Sequence, residues 1–277
     1  MRSSVILCLV LLSFSFSLFS QTNRKLANGQ FAYYGESFYT AKVTKESLFK
    51  VLNLDHTIVV NKHDLIASGC QNGDCFRHTP VGYENARKIM FGELFLQKDD
   101  EGNFVKDVYC QKKFHFKEVS DISNMGNIVN IEHTWPQSKF TGNFDKNAQK
   151  SDLHHLYPTD SSANSRRANH EFGNIGNNHD ELNVQNCSHS QLGDISGHFI
   201  FTPPVEHRGN VARSLFYFAT RYNIFIGPAE EMILRLWHKA DPIDANEKDR
   251  HEAIATHQKS RNPFIDFPEL VEKISDL

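Results

Sequence analysis

Outside residues 1–20 the sequence has no apolar run of membrane-spanning length, no Gly/Ser- or Pro-rich linker and no internal repeat. Those absences exclude a polytopic membrane protein, a string of tethered modules and a solenoid. They leave one large domain over residues 21–277 as the default. Surplus positive charge is missing as well: 30 Lys and Arg stand against 33 Asp and Glu, a net charge of −3 with histidine neutral. Proteins that hold nucleic acid statically are usually basic, so this balance disfavours tight, permanent binding. It does not disfavour turnover, which needs a local basic groove and a product that leaves. Cysteine is scarce, with five in 277 residues. Cys70 and Cys75 are the closely spaced pair, and no histidine pair completes a finger pattern, so a zinc site is the weaker reading of the cysteines.

What is present begins with a leader. Arg2 supplies a short positive segment, Val5 to Leu18 an apolar one, and Ser17 and Ser20 small residues, with the cut expected between Ser20 and Gln21. Such a leader directs a chain to a secreted or periplasmic location, where thiols oxidise. Cys8 leaves with it. Cys70, Cys75, Cys110 and Cys187 remain, an even number that suggests two disulfides in any of the three pairings four cysteines allow. Cys70 and Cys75 flank the turn-like Gln71-Asn72-Gly73-Asp74, which a short bridge would close; that would leave Cys110 with Cys187.

Periodicity predicts a helix-rich chain with a few short antiparallel strands, an α+β class, since no βαβ alternation is visible. Helices are expected from Thr44 to about Leu54, from Gly82 to Leu96, after Asp160 to about Asn169, from Val211 to Tyr222, from Pro228 with Met232, Ile233, Leu236 and Trp237 inward, and from Asp244 to about Gln258. Strands are expected at Ile58–Val60, Phe104–Cys110, Ile128–Ile131 and His198–Thr202. Residues 173–197, rich in Gly, Asn, Asp, His and Ser, read as a long surface loop. Phe264 and Ile265 are expected to dock an irregular tail.

The chemistry concentrates in the middle. Glu132-His133 is followed by Asp152-Leu153-His154-His155-Leu156-Tyr157-Pro158 and by Asn164-Ser165-Arg166-Arg167. Hydrolysing a phosphodiester requires a base for water, stabilisation of the pentavalent centre and neutralisation of the leaving oxygen. Imidazole titrates near neutrality and suits the first task. A hard divalent cation, which prefers oxygen ligands, suits the other two. His133 is therefore the candidate base, and Glu132 and Asn164 the candidate metal ligands. Adjacent strand residues face opposite sides, so Glu132 and His133 can share a site only if the strand ends there, and Thr134-Trp135-Pro136 favours such an end. Helical spacing puts Arg167 on the face of Asn164, where its fork would meet a phosphate. Arg166 points elsewhere and reads as a phosphate contact or a surface charge. His154, and Asp152 behind His133, are candidates for orienting the site through hydrogen bonds. His155 is the weaker choice.

At this point the residues resemble a family. Ile131-Glu132-His133-Thr134-Trp135-Pro136-Gln137-Ser138, Asp152-Leu153-His154-His155-Leu156-Tyr157-Pro158-Thr159-Asp160 and Asn164-Ser165-Arg166-Arg167-Ala168-Asn169 are similar to the core of the bacterial endonuclease I family, secreted or periplasmic His-Me finger nucleases. Downstream, His207-Arg208-Gly209-Asn210-Val211-Ala212-Arg213, Trp237, Asp241-Pro242 and Asn262-Pro263-Phe264-Ile265-Asp266 extend the likeness to roughly residues 80–270. The resemblance implies a ββα-metal core, one Mg²⁺ (or Ca²⁺ or Mn²⁺) per site, and cleavage with little sequence preference that leaves 5′-phosphates. It implies His133 as general base, Glu132 and Asn164 as ligands with waters, and Arg167 on the phosphate. Many relatives have Gly after the ligand Asn where this chain has Ser165, which removes no ligand.

Arg208 and Arg213 are expected either to line the groove beside the catalytic centre or to pair with acids of the C-terminal helices. The expected partners are double- or single-stranded DNA and also RNA, with no membrane, and the chain is expected to be a monomer. Two other readings stay open: an exported nucleic-acid-binding protein with a structural metal, and a nucleotide phosphatase.

Overall fold

In a computed structural model, residues 32–118, 120–121, 127–176 and 180–277 are described. The leader expected over residues 1–20 lies outside them. Contacts divide the described chain into two units, residues 32–41 with 54–76, and residues 42–53 with 77–277. The smaller unit has helix α1 (Gly35–Thr40) and an antiparallel sheet ordered β2-β1-β3, from β1 (Asp55–Thr57), β2 (Leu65–Ala67) and β3 (Cys75–Phe76). A stack of Tyr33, His56 and Phe76 fills it, with centroid spacings of 4.5 and 4.9 Å along the stack. The Cys70–Cys75 disulfide closes the expected turn, with Cα atoms 5.8 Å apart. The strand here lies at 55–57 and not at the expected 58–60.

The larger unit starts with α2 (Lys45–Asn53), capped as a box by Thr44 and Ser47, each of whose hydroxyls accepts the other's N–H. Helix α3 (Tyr83–Ile89) runs into a π turn at Met90–Leu94, and the chain then enters a sheet of β4 (Leu96–Asp99), β5 (Gly102–Lys106) and β6 (Lys113–Phe116). The expected single helix to Leu96 therefore stops early. Strand β5 also ends before the expected Cys110, because the Asp107 carboxylate takes the N–H groups of Tyr109, Cys110 and Lys112 and offers the backbone an alternative to the ladder. Strand β7 (Val129–His133) follows, then α4 (Lys146–Lys150), β8 (Leu156–Asp160) and α5 (Ser161–Arg167). Beneath β7 and β8 lies a core of Met90, Phe91, Val105, Val129, Ile131, Leu153, Leu156 and Ile254.

Residues 173–197 are not one loop. Strands β9 (Glu171–Phe172), β10 (Asp180–Glu181), β11 (Gln191–Ile195) and β12 (His198–Thr202) make a sheet ordered β10-β11-β12-β9. The overlooked signal is Ser196-Gly197, at φ 56° and 86°, a two-residue hairpin turn with both centres left-handed.

The C-terminal helices are α6 (Arg208–Arg221), α7 (Pro228–Ala240), α8 (Ala245–Gln258), α9 (Pro263–Asp266) and α10 (Leu270–Lys273). Helix α6 is buried almost throughout. Gly209 in its first turn permits close approach, since a Cβ there would strike the Asp241 carbonyl. In α7 the inward residues are Leu234 and Trp237, whereas Met232 and Leu236, expected inside, are 60% and 55% exposed. Phe264 and Ile265 dock as expected. Mixed helix with short, mostly antiparallel strands is the α+β class the pattern implied, and no helix of the described residues is long and apolar enough to cross a membrane.

A buried polar knot ties these helices to the 153–155 turn. Asp152 accepts from Tyr217 and Tyr222 hydroxyls and from Gln258 Nε2, at 3.1, 2.9 and 2.8 Å. Burial works against its charge, but the nearby imidazoles and Arg221 outweigh it and hold the carboxyl well below the usual range. Burial drives the histidines the other way, to about 3 for His133 and His207 and about 4 for His155. An unfolded chain would protonate these imidazoles near pH 6.5 while the folded one does not. The unfolded state then binds more protons, so stability is lost as pH falls from about 6.5 toward 4, by about 1.4 kcal/mol per pH unit for each such histidine. The thermal midpoint should drop steeply between pH 7 and 5; a flat midpoint would show that these rings are not buried neutral.

Candidate active site

Strands β7 and β8 pair antiparallel, Glu132 opposite Tyr157 and His133 opposite Leu156, and α5 follows β8 without a linker. Asp160 turns the chain, its carboxylate accepting from Ser162 and Ala163 N–H at 2.9 and 3.0 Å. This strand–strand–helix unit borders a cavity of about 520 Å³ lined by Tyr83, Glu132, His133, Gln137, Asn164 and Arg167, among others. His133 is the last residue of β7, and the chain leaves the strand at Thr134, so Glu132 and His133 both face one cavity although they are neighbours.

Glu132 is 1% exposed. Tyr109 donates its hydroxyl to Oε1 at 2.8 Å, and Arg167 Nε stands 3.3 Å from the same oxygen. Both contacts fall on Oε1, which leaves Oε2 as the oxygen Glu132 offers to the cavity. Burial pushes its pKa up, opposed by the Arg167 charge and then by the Tyr109 hydrogen bond. Asn164 donates from Nδ2 to the Ile131 carbonyl at 3.3 Å, so Oδ1 is the free end of the amide.

His133 pairs Nε2 with the Lys150 carbonyl at 3.1 Å. A carbonyl only accepts, so Nε2 carries the proton and Nδ1 carries the lone pair, 3.4 Å from Gln137 Nε2. The ring stacks at 5.9 Å on Tyr83 and meets His155 edge-on at 5.4 Å.

Arg167 lies inside rather than on the cavity's rim. It is 2% exposed, it covers Phe172 at 4.5 Å, and its Nη atoms donate to the carbonyls of His133, Thr134 and Ala168 at 3.3, 2.6 and 3.2 Å. The fork expected on a phosphate is thus engaged by Glu132 and main chain. Arg213 is fully buried, gripping both oxygens of Glu247 at 2.7 and 2.6 Å. Of the two expectations for it, pairing with C-terminal acids holds and groove lining fails. Arg208 donates to the Pro203 carbonyl and lies over Trp237, and Arg166 donates to the Leu182 carbonyl; neither borders the cavity.

Asp152 and His154 belong to the polar knot, not to the cavity: His154 pairs Nε2 with the Ser260 carbonyl and packs on Tyr217. The histidine beside His133 is His155, whose Nε2 bonds the Gln149 carbonyl at 2.9 Å. Sequence reasoning missed Tyr109, Gln137, Tyr83 and Lys150. Gln137 alone left a trace, four residues after His133 in the Trp-Pro-Gln run.

The Cys110–Cys187 disulfide lies one residue from Tyr109, and zinc ligation of these thiols is thereby excluded. The Endonuclease I family matches residues 76–269. The extracellular ribonuclease of Bacillus amyloliquefaciens is 36% identical over 164 residues, covering 52% of this chain and 53% of that protein. The extracellular ribonuclease of Bacillus subtilis is 33% identical over 172 residues, 54% of this chain and 56% of that protein. Endonuclease-1 of Buchnera aphidicola is 28% identical over 116 residues, 42% and 44% of the two chains. The matched stretch spans about half the length of each relative. With the match running through the cavity and both strands beneath it, the chain belongs to the Endonuclease I family.

Proposed function

We propose that this chain is an exported, metal-dependent nuclease that hydrolyses phosphodiester bonds of DNA, and of RNA as well, with little sequence preference and leaving 5′-phosphates. The observation that carries the reading is the single cavity bordered by Glu132, His133 and Asn164. Relatives named as extracellular ribonucleases support RNA within the substrate range, and one named as an endonuclease supports internal cleavage.

His133 accepts the proton of the attacking water at Nδ1, since Nε2 is occupied by the Lys150 carbonyl. Burial keeps the imidazole neutral, the protonation state a base starts from. Glu132 Oε2 and Asn164 Oδ1 are hard oxygen donors, and waters would complete the shell of Mg²⁺ or a similar cation. That cation would supply charge stabilisation at the phosphorus centre and the leaving oxygen. Arg167 acts through Glu132: it holds the carboxylate in place and ties down the chain leaving β7. Phosphate contacts position a strand without reading bases, which is how such a site cuts with little sequence preference.

Supercoiled plasmid, single-stranded DNA and RNA, each with Mg²⁺ or chelator, test the reading. Cleavage should need the metal, and His133→Ala should slow it by about 10²–10⁴-fold. Asn164→Ala should raise the metal concentration needed while leaving the fold intact, because a helix tolerates Ala well. Retardation of nucleic acid without cleavage would favour a binding protein, and phosphate release from mononucleotides a phosphatase.

The acid limb of activity should belong to Glu132. Protons compete with the metal for that carboxylate, so added Mg²⁺ should move the limb to lower pH; a limb that ignores Mg²⁺ would point to an imidazole instead. Tyr109→Phe removes one donor from a buried carboxylate and should cost about 1.5–3 kcal/mol of stability, measured by denaturant unfolding at neutral pH. A change below about 0.5 kcal/mol would mean the hydroxyl does not hold Glu132.

A further inference from the structure

Arg167 is the one lysine or arginine among the described residues that line the cavity; its Nη atoms donate to three carbonyls and its Nε lies at ion-pair distance from Glu132. A nuclease site built this way still needs a cation for the phosphate backbone. Lys150 ends α4, half-buried, with its ammonium 4.1 Å from the centre of the ring of Tyr83, a cavity-lining residue. Tyr83 lines the cavity and stacks on His133, so the ammonium sits one ring away from the base. Among the described residues no carboxylate lies within ion-pair distance of it. A π face holds an ammonium weakly, and a phosphate oxygen competes well for it.

We propose that Lys150 is the substrate-phosphate cation of this site, resting on Tyr83 until a nucleic-acid strand arrives. The proposal rests on the nuclease reading and adds to it the residue that positions the backbone. Lys150 then serves twice: its carbonyl orients His133 and its side chain grips the substrate. Substituting the side chain leaves the carbonyl in place, so the two roles separate cleanly.

The test compares wild-type full chain with Lys150→Met, Lys150→Gln, Lys150→Arg and the remote exposed control Lys248→Met. Cleavage kinetics are measured across a salt series. Binding of a fluorescein-labelled duplex oligonucleotide is measured in chelator. Both neutral variants should raise KM about tenfold or more with kcat little changed, and should reduce the slope of log affinity against log salt by about one, the signature of one lost phosphate contact. Lys150→Arg should restore most of the affinity, and Lys248→Met should match wild type. Wild-type KM and salt slope in Lys150→Met and Lys150→Gln would overturn the proposal, as would an equal loss in Lys248→Met. If wild type binds the oligonucleotide but does not cut it with Mg²⁺, Mn²⁺ or Ca²⁺, the hydrolysis reading falls and the slope in chelator still decides Lys150. If it neither binds nor cuts, both fall.

Discussion

The site depends on holding one carboxylate in place where water scarcely reaches. Stripping an ionised carboxyl of its hydration costs several kcal/mol even after relaxation. In this chain a phenol from the 107–110 loop and a guanidinium from α5 converge on the same oxygen of Glu132. The guanidinium's other donors run to carbonyls on both sides of the break that follows β7. Glu132 is thereby held with one oxygen bound and one presented. The cost surfaces at Ala168, which sits at φ 51°, ψ −122°, a conformation L-residues rarely take. It is held there by its N–H to the Asn164 carbonyl and its own carbonyl's bond from Arg167.

Where the C-terminal helices meet the 153–155 turn, the buried interior is polar. Asp152, two tyrosines, Gln258 and Ser260 are all buried and mutually bonded. A buried network of this kind fixes a unique arrangement rather than adding much net stability. It places the 153–155 turn, and through that turn the register of β8 against β7 and the ring of His155 against His133.

Legibility from sequence followed distance along the chain. Glu132, His133 and Asn164 could be read because local spacing and residue chemistry flag them, and the Asp160 cap and short strands announce the elements that carry them. Partners from far away could not. Tyr109 reaches Glu132 across 23 positions, and Arg213 finds Glu247 across 34; no periodic pattern records either. For the same reason helical spacing offers Arg167 to a phosphate, whereas the fold turns its guanidinium inward onto Glu132 and main-chain carbonyls. Adjacency to a motif says nothing about which side of a short 3₁₀ turn faces His133, and there His155 packs on it while Asp152 and His154 enter the polar knot.

Orienting an imidazole through a peptide oxygen has an evolutionary corollary. Every amino acid carries that oxygen, so replacing residue 150 leaves the acceptor of His133 where it was. The surface beside His133 is consequently open to drift in charge and bulk while Nδ1 keeps its aim. On the proposed roles, grip on a polymer and activation of water become two dials on one residue, turned separately.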